Sequence, residues 1–107
     1  MSILGNFING QAVTSQSGRT APVYNPATGE QSLQVALSSA QETQEAVRVA
    51  DEAFATWSKI SPLKRSRILF KFKALVEEHT DELARLISRE HGKVFSDAKG
   101  EVTRGLE

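Results

Sequence analysis

Gln31-Ser32-Leu33-Gln34-Val35-Ala36-Leu37, running straight into Ser38-Ser39-Ala40-Gln41-Glu42, is the stretch on which the fold turns. Its first half alternates with a two-residue period: Leu33 and Val35 share one face of an extended segment, Gln34 and Ala36 the other. Its second half places Ser39 three residues before Glu42. That is the capping-box pattern, in which hydroxyl and carboxylate each satisfy a free backbone N–H at a helix start. Near residue 38 the chain therefore passes from strands to helices. The expected class is an α+β segment, with short antiparallel β-hairpins and turns over 1–38 and three or four amphipathic helices over 39–107.

Upstream, Phe7-Ile8-Asn9-Gly10-Gln11-Ala12-Val13 reads as a hairpin, because Asn-Gly supplies the positive φ angles of a type I′ turn. Ser15 to Gly18 is a loop and Thr20 to Tyr24 a strand. Asn25-Pro26-Ala27-Thr28-Gly29-Glu30 turns the chain into the Gln31–Leu37 strand, proline fixing one φ and glycine allowing a left-handed one. Downstream, Ala46, Val49, Ala50, Ala53, Phe54 and Trp57 fall on one stripe at helical spacing. Ser61-Pro62 opens a second helix with an N-cap and a first-turn proline. Ile68, Leu69, Phe72, Leu75 and Val76 form its apolar face. A restart at Thr80-Asp81-Glu82 carries Leu83, Leu86 and Ile87, and Gly92 closes it as a C′ residue. A further helix is expected to start at Ser96-Asp97, and because it has no stop signal before Glu107 the chain reads as a piece of something longer.

The 107 residues suffice for one small domain with a single core. Apolar residues at 39% give it material to bury, which argues against disorder. Thirteen basic and thirteen acidic side chains cancel, so the basic excess of a nucleic-acid binder is missing. There is no cysteine, which excludes a disulfide framework, a thiolate metal site and a cysteine nucleophile within this stretch. The opening residues are not a signal peptide, and no apolar run approaches the roughly 20 residues that span a bilayer. A soluble, cytoplasmic protein is the expectation.

Candidate chemistry is sparse. Lys59, Lys64, Arg65, Arg67, Lys71 and Lys73 form a basic run that would suit a phosphate group. They read better as a solvated helix face balanced by Glu77, Glu78, Asp81 and Glu82. Arg65 alone falls on the apolar side, between Phe72 and Val76, and is expected to form a structural ion pair. His79 and His91 lack metal-ligand spacing and read as surface residues. Gly92-Lys93 is no phosphate loop, and Trp57 reads as a core or interface anchor. No catalytic, cofactor-binding or metal-ligating residue can be named from the residues alone.

A family resemblance goes further. Phe7-Ile8-Asn9-Gly10, Tyr24-Asn25-Pro26-Ala27-Thr28-Gly29-Glu30, Ala53-Phe54-x-x-Trp57, Arg65-x-x-Ile68-Leu69 and Glu90-His91-Gly92-Lys93 resemble, in that order, the amino-terminal region of the aldehyde dehydrogenase superfamily. The run from Glu90 to Glu107, with Asp97-Ala98-x-Gly100-Glu101-Val102-x-Arg104-Gly105-Leu106-Glu107 at its heart, is similar to CoA-acylating methylmalonate-semialdehyde dehydrogenases. The resemblance implies a longer parent using NAD and CoA, with an NAD-binding domain, a catalytic domain and a bridging oligomerisation element. Residues 1–107 would belong to the NAD-binding region. It implies a cysteine nucleophile that attacks the aldehyde, hydride transfer to NAD, and transfer of the resulting thioester to CoA. Those groups would lie in other sequence, leaving this segment inactive alone, without cofactor of its own, and partnered by the rest of a homo-oligomeric parent. The competing expectation is a stand-alone helical binding module that kept this front end without the catalysis. Nucleic acid and membrane are not expected partners.

Overall fold

A computed structural model describes residues 2–107. Five strands are followed by four helices: β1 (Ile3–Leu4), β2 (Asn6–Ile8), β3 (Gln11–Val13), β4 (Thr20–Tyr24), β5 (Gln31–Ala36), α1 (Ala40–Trp57), α2 (Pro62–Glu78), α3 (Thr80–His91) and α4 (Phe95–Leu106). The α+β class and the hairpin-then-helix order are as expected. Instead of one core, the contacts separate into two compact units. One takes the residues up to Tyr24 and Gln31–Ile60, the other Asn25–Glu30 and Ser61–Glu107.

In the first unit, β2 and β3 pair antiparallel with Ile8 opposite Gln11. Asn9 (φ 54°) and Gly10 (φ 74°) make the left-handed corner that this two-residue turn demands. β4 and β5 pair antiparallel, with a register shift at Val23/Tyr24. β1 was not anticipated. It runs parallel to β5, Ile3 opposite Gln34 and Leu4 opposite Val35, which makes β5 the central strand of the order β1-β5-β4. Because β5 is flanked on both edges, Leu33 to Ala36 are all half-buried, and the one-sided alternation read from the sequence is blurred. Before α1, the Asn6 amide donates to Ser38 Oγ at 2.9 Å, and the Ser38 hydroxyl donates back to Asn6 Oδ1 at 3.1 Å.

α1 begins with the full capping box. Ser39 Oγ accepts from the Glu42 N–H, and Glu42 Oε1 accepts from the Ser39 N–H at 2.9 Å. Its apolar stripe does not form a core. No residue of α1 is buried, and Phe54 is 61% and Trp57 38% exposed.

In the second unit, the Asn25–Glu30 turn is closed by two backbone bonds of 2.8 Å, Asn25 N–H to the Glu30 carbonyl and Gly29 N–H to the Asn25 carbonyl. The Asn25 side chain adds an acceptor for the Ala27 N–H at 2.9 Å. α2 is capped by Ser61 with Pro62 in its first turn. The chain breaks at His79 and restarts as α3, where the Thr80 hydroxyl donates to the last carbonyls of α2. Gly92, at φ 88°, ends α3 and donates its N–H to the Ser88 carbonyl. A Cβ at Gly92 would lie 3.2 Å from Pro26 Cγ, so the asparagine-proline turn rests against this helix end.

α4 starts at Phe95, with Val94 as its N-cap, rather than at Ser96-Asp97. Asp97 and Ala98 N–H both bond to the Val94 carbonyl, so the first turn closes on backbone alone, with no side-chain cap. Ala84 and Ala98 are fully buried and Val102 nearly so. These small side chains let α3 and α4 approach closely.

Candidate functional site

Three surfaces emerge from these elements. The first is a polar node on Glu42 in the β-rich unit. Besides its capping bond, its carboxylate accepts from the Ser15 hydroxyl at 3.0 Å and from the Gln16 N–H at 3.1 Å. The backbone N–H groups of Ser39 and Gln16 hold its pKa below the usual 4.5. Nearby, the Ser17 hydroxyl donates to the Leu37 carbonyl at 2.6 Å. On the same helix Arg48 bridges Glu45 and Glu52, both at 2.7 Å. Those hydrogen bonds raise the Arg48 pKa, and the Arg48 guanidinium lowers that of Glu45.

The second surface is the basic run. Lys73 pairs with Glu77 at 2.7 Å. The balance expected from Asp81 and Glu82 is not made, since Asp81 meets Lys99 at 3.1 Å and Glu82 meets His79 at 3.0 Å. Helical spacing explains this: partners three or four residues away, or on an adjoining helix, outcompete those a full helix apart. Among the described residues no ion pair includes Arg65, against expectation. Arg65 is only half-buried, and a guanidinium still in contact with water does not require a carboxylate. His79 and His91 are exposed, as read. Among the described residues no group of three or more His, Cys, Asp or Glu could hold a metal ion.

The third surface is an apolar groove in the helical unit, of about 710 Å³. Leu69 and Phe72 of α2, Leu83 and Leu86 of α3, and Val102 and Leu106 of α4 line it. Leu69 is 60% and Phe72 62% exposed, so large apolar side chains face open space. Two of the polar side chains at its margin are engaged within α2. Ser66 Oγ donates to the Leu63 carbonyl at 2.7 Å and Lys73 Nζ to Glu77 at 2.7 Å. Beyond the groove, Arg85 and Lys99 sit over the Phe95 ring at 5.8 and 5.7 Å from its centroid. Lys93 pairs with Glu101, whose carboxyl is thereby held below its usual range. The family resemblance implies that the apolar stripes ending at Trp57 and Ile87 meet other sequence, and large apolar side chains of both, Phe54 and Leu86 among them, are exposed here.

Hairpins, an asparagine-proline turn and a helical unit with an open apolar groove make up an α+β chain, and the sequence profile of the aldehyde dehydrogenase family matches residues 12–107. The chain belongs to the aldehyde dehydrogenase family. It is 54% identical over 104 residues to malonate-semialdehyde dehydrogenase 2 of Geobacillus kaustophilus (strain HTA426), covering 97% of this chain and 22% of that one. Among solved structures, a methylmalonate-semialdehyde dehydrogenase from Oceanimonas doudoroffii matches at 47% identity and TM-score 0.95, over 99% of this chain and 22% of that one. A Sinorhizobium meliloti 1021 chain assigned to the same activity and complexed with NAD matches at 44% identity and TM-score 0.95, with the same coverage. The chain thus spans about a fifth of the length of these relatives.

Whether these residues suit NAD can be judged at the helix N-termini, the usual seats of a pyrophosphate. At α1 the Glu42 N–H is met by Ser39 Oγ, and the Glu42 carboxylate folds back to the Ser39 N–H, placing a negative charge at the helix start. At α2 the cap is Ser61 and Pro62 removes an N–H donor. These two capped helix starts do not suit a dinucleotide phosphate. Among the described residues no helix is long and apolar enough to cross a membrane.

Proposed function

We propose that this chain is the amino-terminal segment of an NAD-dependent, CoA-acylating malonate- or methylmalonate-semialdehyde dehydrogenase acting in the cytoplasm as a homo-oligomer. The carrying observation is the 54% identity over 97% of the chain to a malonate-semialdehyde dehydrogenase, joined by a TM-score of 0.95 to two methylmalonate-semialdehyde dehydrogenase structures. In such an enzyme the nucleophile and the cofactor loop come from other sequence. This segment has a structural part, presenting its apolar faces to the rest of the polypeptide, and no catalytic activity of its own. The absence of cysteine from all 107 residues supports that division.

The test is a gene product detected with an antibody against this segment. A species several times heavier than 11.7 kDa that reduces NAD with malonate or methylmalonate semialdehyde, in a CoA-dependent manner, is the expected result. A heavier species with neither activity refutes the enzymatic assignment. A species of about this mass favours the stand-alone binding module, to which the exposed Phe54 and Trp57 on α1 would lend a docking face.

A further inference from the structure

We propose that the groove between α2, α3 and α4 seats one amphipathic helix supplied by the part of the enzyme outside this chain. The inference rests on the function proposed above, because it takes its occupant from the remaining 78% of the relatives' length.

Chemistry narrows the occupant. A small-molecule site needs a few converging polar groups to orient its ligand, but Ser66 and Lys73 are bound within α2, Glu107 stands alone at the end of α4, and the rest of the wall is apolar. A polypeptide presenting an apolar face needs no such groups. It cannot be a strand, because the walls are helices whose backbone donors and acceptors are spent internally, and a strand would bury its own unpaired. A helix satisfies its own backbone and inserts side chains at i, i+3, i+4 and i+7.

Glycine placement points the same way. Gly105 lies within α4 and lines the groove, where glycine weakens a helix relative to alanine. A Cβ there would meet nothing within 4 Å, so nothing in this chain requires the omission. A helix backbone arriving from outside would require it. A helix on the same polypeptide also reaches the groove at far higher effective concentration than any helix of a second copy.

The test uses a full-length chain in which these residues replace the matched stretch of the Geobacillus kaustophilus relative. Gly105→Leu improves helix propensity and has free space in the structure, so an open groove predicts an unchanged or higher melting temperature. A seated helix predicts a fall on the order of 5 °C, from overpacking. Phe72→Cys gives a second readout by peptide-mapped thiol labelling. It should react at least about tenfold more slowly than Lys71→Cys on the outer face of α2, as burial suppresses thiol reactivity. An unchanged melting temperature with equal labelling overturns the proposal. Shielding that vanishes on dilution, with the mass falling to that of one protomer, also overturns it and assigns the groove to a second copy. A chimera that passes both tests yet oxidises no semialdehyde leaves the groove assignment standing and removes the functional one. Failure of the unsubstituted chimera to fold, beside a folded relative, counts against both.

Discussion

Replacing Gly92 with alanine probes the seat of the asparagine-proline turn, and the structure lets its cost be built from parts. Gly92 ends α3 at φ 88°, a left-handed conformation that costs an L-residue about 1–2 kcal/mol. Alanine also restricts the unfolded chain, which returns about 0.4–1 kcal/mol. The net of these two is a loss of roughly 0.5–1 kcal/mol. To it is added the contact: the new Cβ lies 3.2 Å from Pro26 Cγ and 3.5 Å from Pro26 Cβ, so the turn must move back by a few tenths of an ångström. Gly10 supplies the control. It sits at φ 74° with nothing within 4 Å of a Cβ, so Gly10→Ala reports the backbone terms alone. Gly92→Ala should therefore cost more than Gly10→Ala, by about 0.5 kcal/mol or more, and the excess should disappear in a Pro26→Ala background. Urea unfolding of the four variants, with fixed m-values, measures this. Equal costs for Gly92→Ala and Gly10→Ala, or an excess that survives Pro26→Ala, would refute the claim that Pro26 packs on the α3 cap.

Three further outcomes follow from local chemistry. Ser88 Oγ is buried without a hydrogen-bond partner, so Ser88→Ala should raise stability by about 1 kcal/mol in a denaturant melt. Ala98 is fully buried, and Ala98→Leu should overpack it at a cost of about 1–3 kcal/mol, seen as a lower melting temperature. The Glu42 carboxyl is held below its ordinary 4.5, so its contribution to stability is present above that value and lost as pH falls through the depressed one. Glu42→Gln should accordingly melt lower than the parent at neutral pH, with the gap closing in acid; a gap independent of pH would show that the carboxylate's charge is not involved.

Signals written into consecutive residues were legible. Asn9-Gly10, the Ser39–Glu42 box, Ser61-Pro62 and Gly92 each specify a backbone geometry within a few residues, and each is found where expected. What depended on distant partners was not. β1 has only two residues and is defined by parallel pairing to residues 31 positions on, which no local period announces. Arg65 was assigned a partner from its angular position on a helix, but position alone does not say how much water reaches the guanidinium. The start of α4 was placed at the polar pair Ser96-Asp97, whereas an extended Val94 offering only its carbonyl was enough. The apolar residues of the groove could be named from the helical period. That they would stay uncovered follows from the family resemblance, which implies a longer polypeptide to meet them, and from no local period.

The parallel pairing of β1 with β5 also sets an order of events during synthesis. Ile3 and Leu4 leave the ribosome before their partners Gln34 and Val35, which follow about 30 residues later, roughly 2–6 s at ordinary elongation rates. The β2–β3 hairpin can close within microseconds of its own emergence. Both neighbours of β5 in the order β1-β5-β4 must wait for it, β1 the longer of the two. For those seconds this apolar pair waits unpaired, and a chaperone that captures short hydrophobic segments would find its opening there.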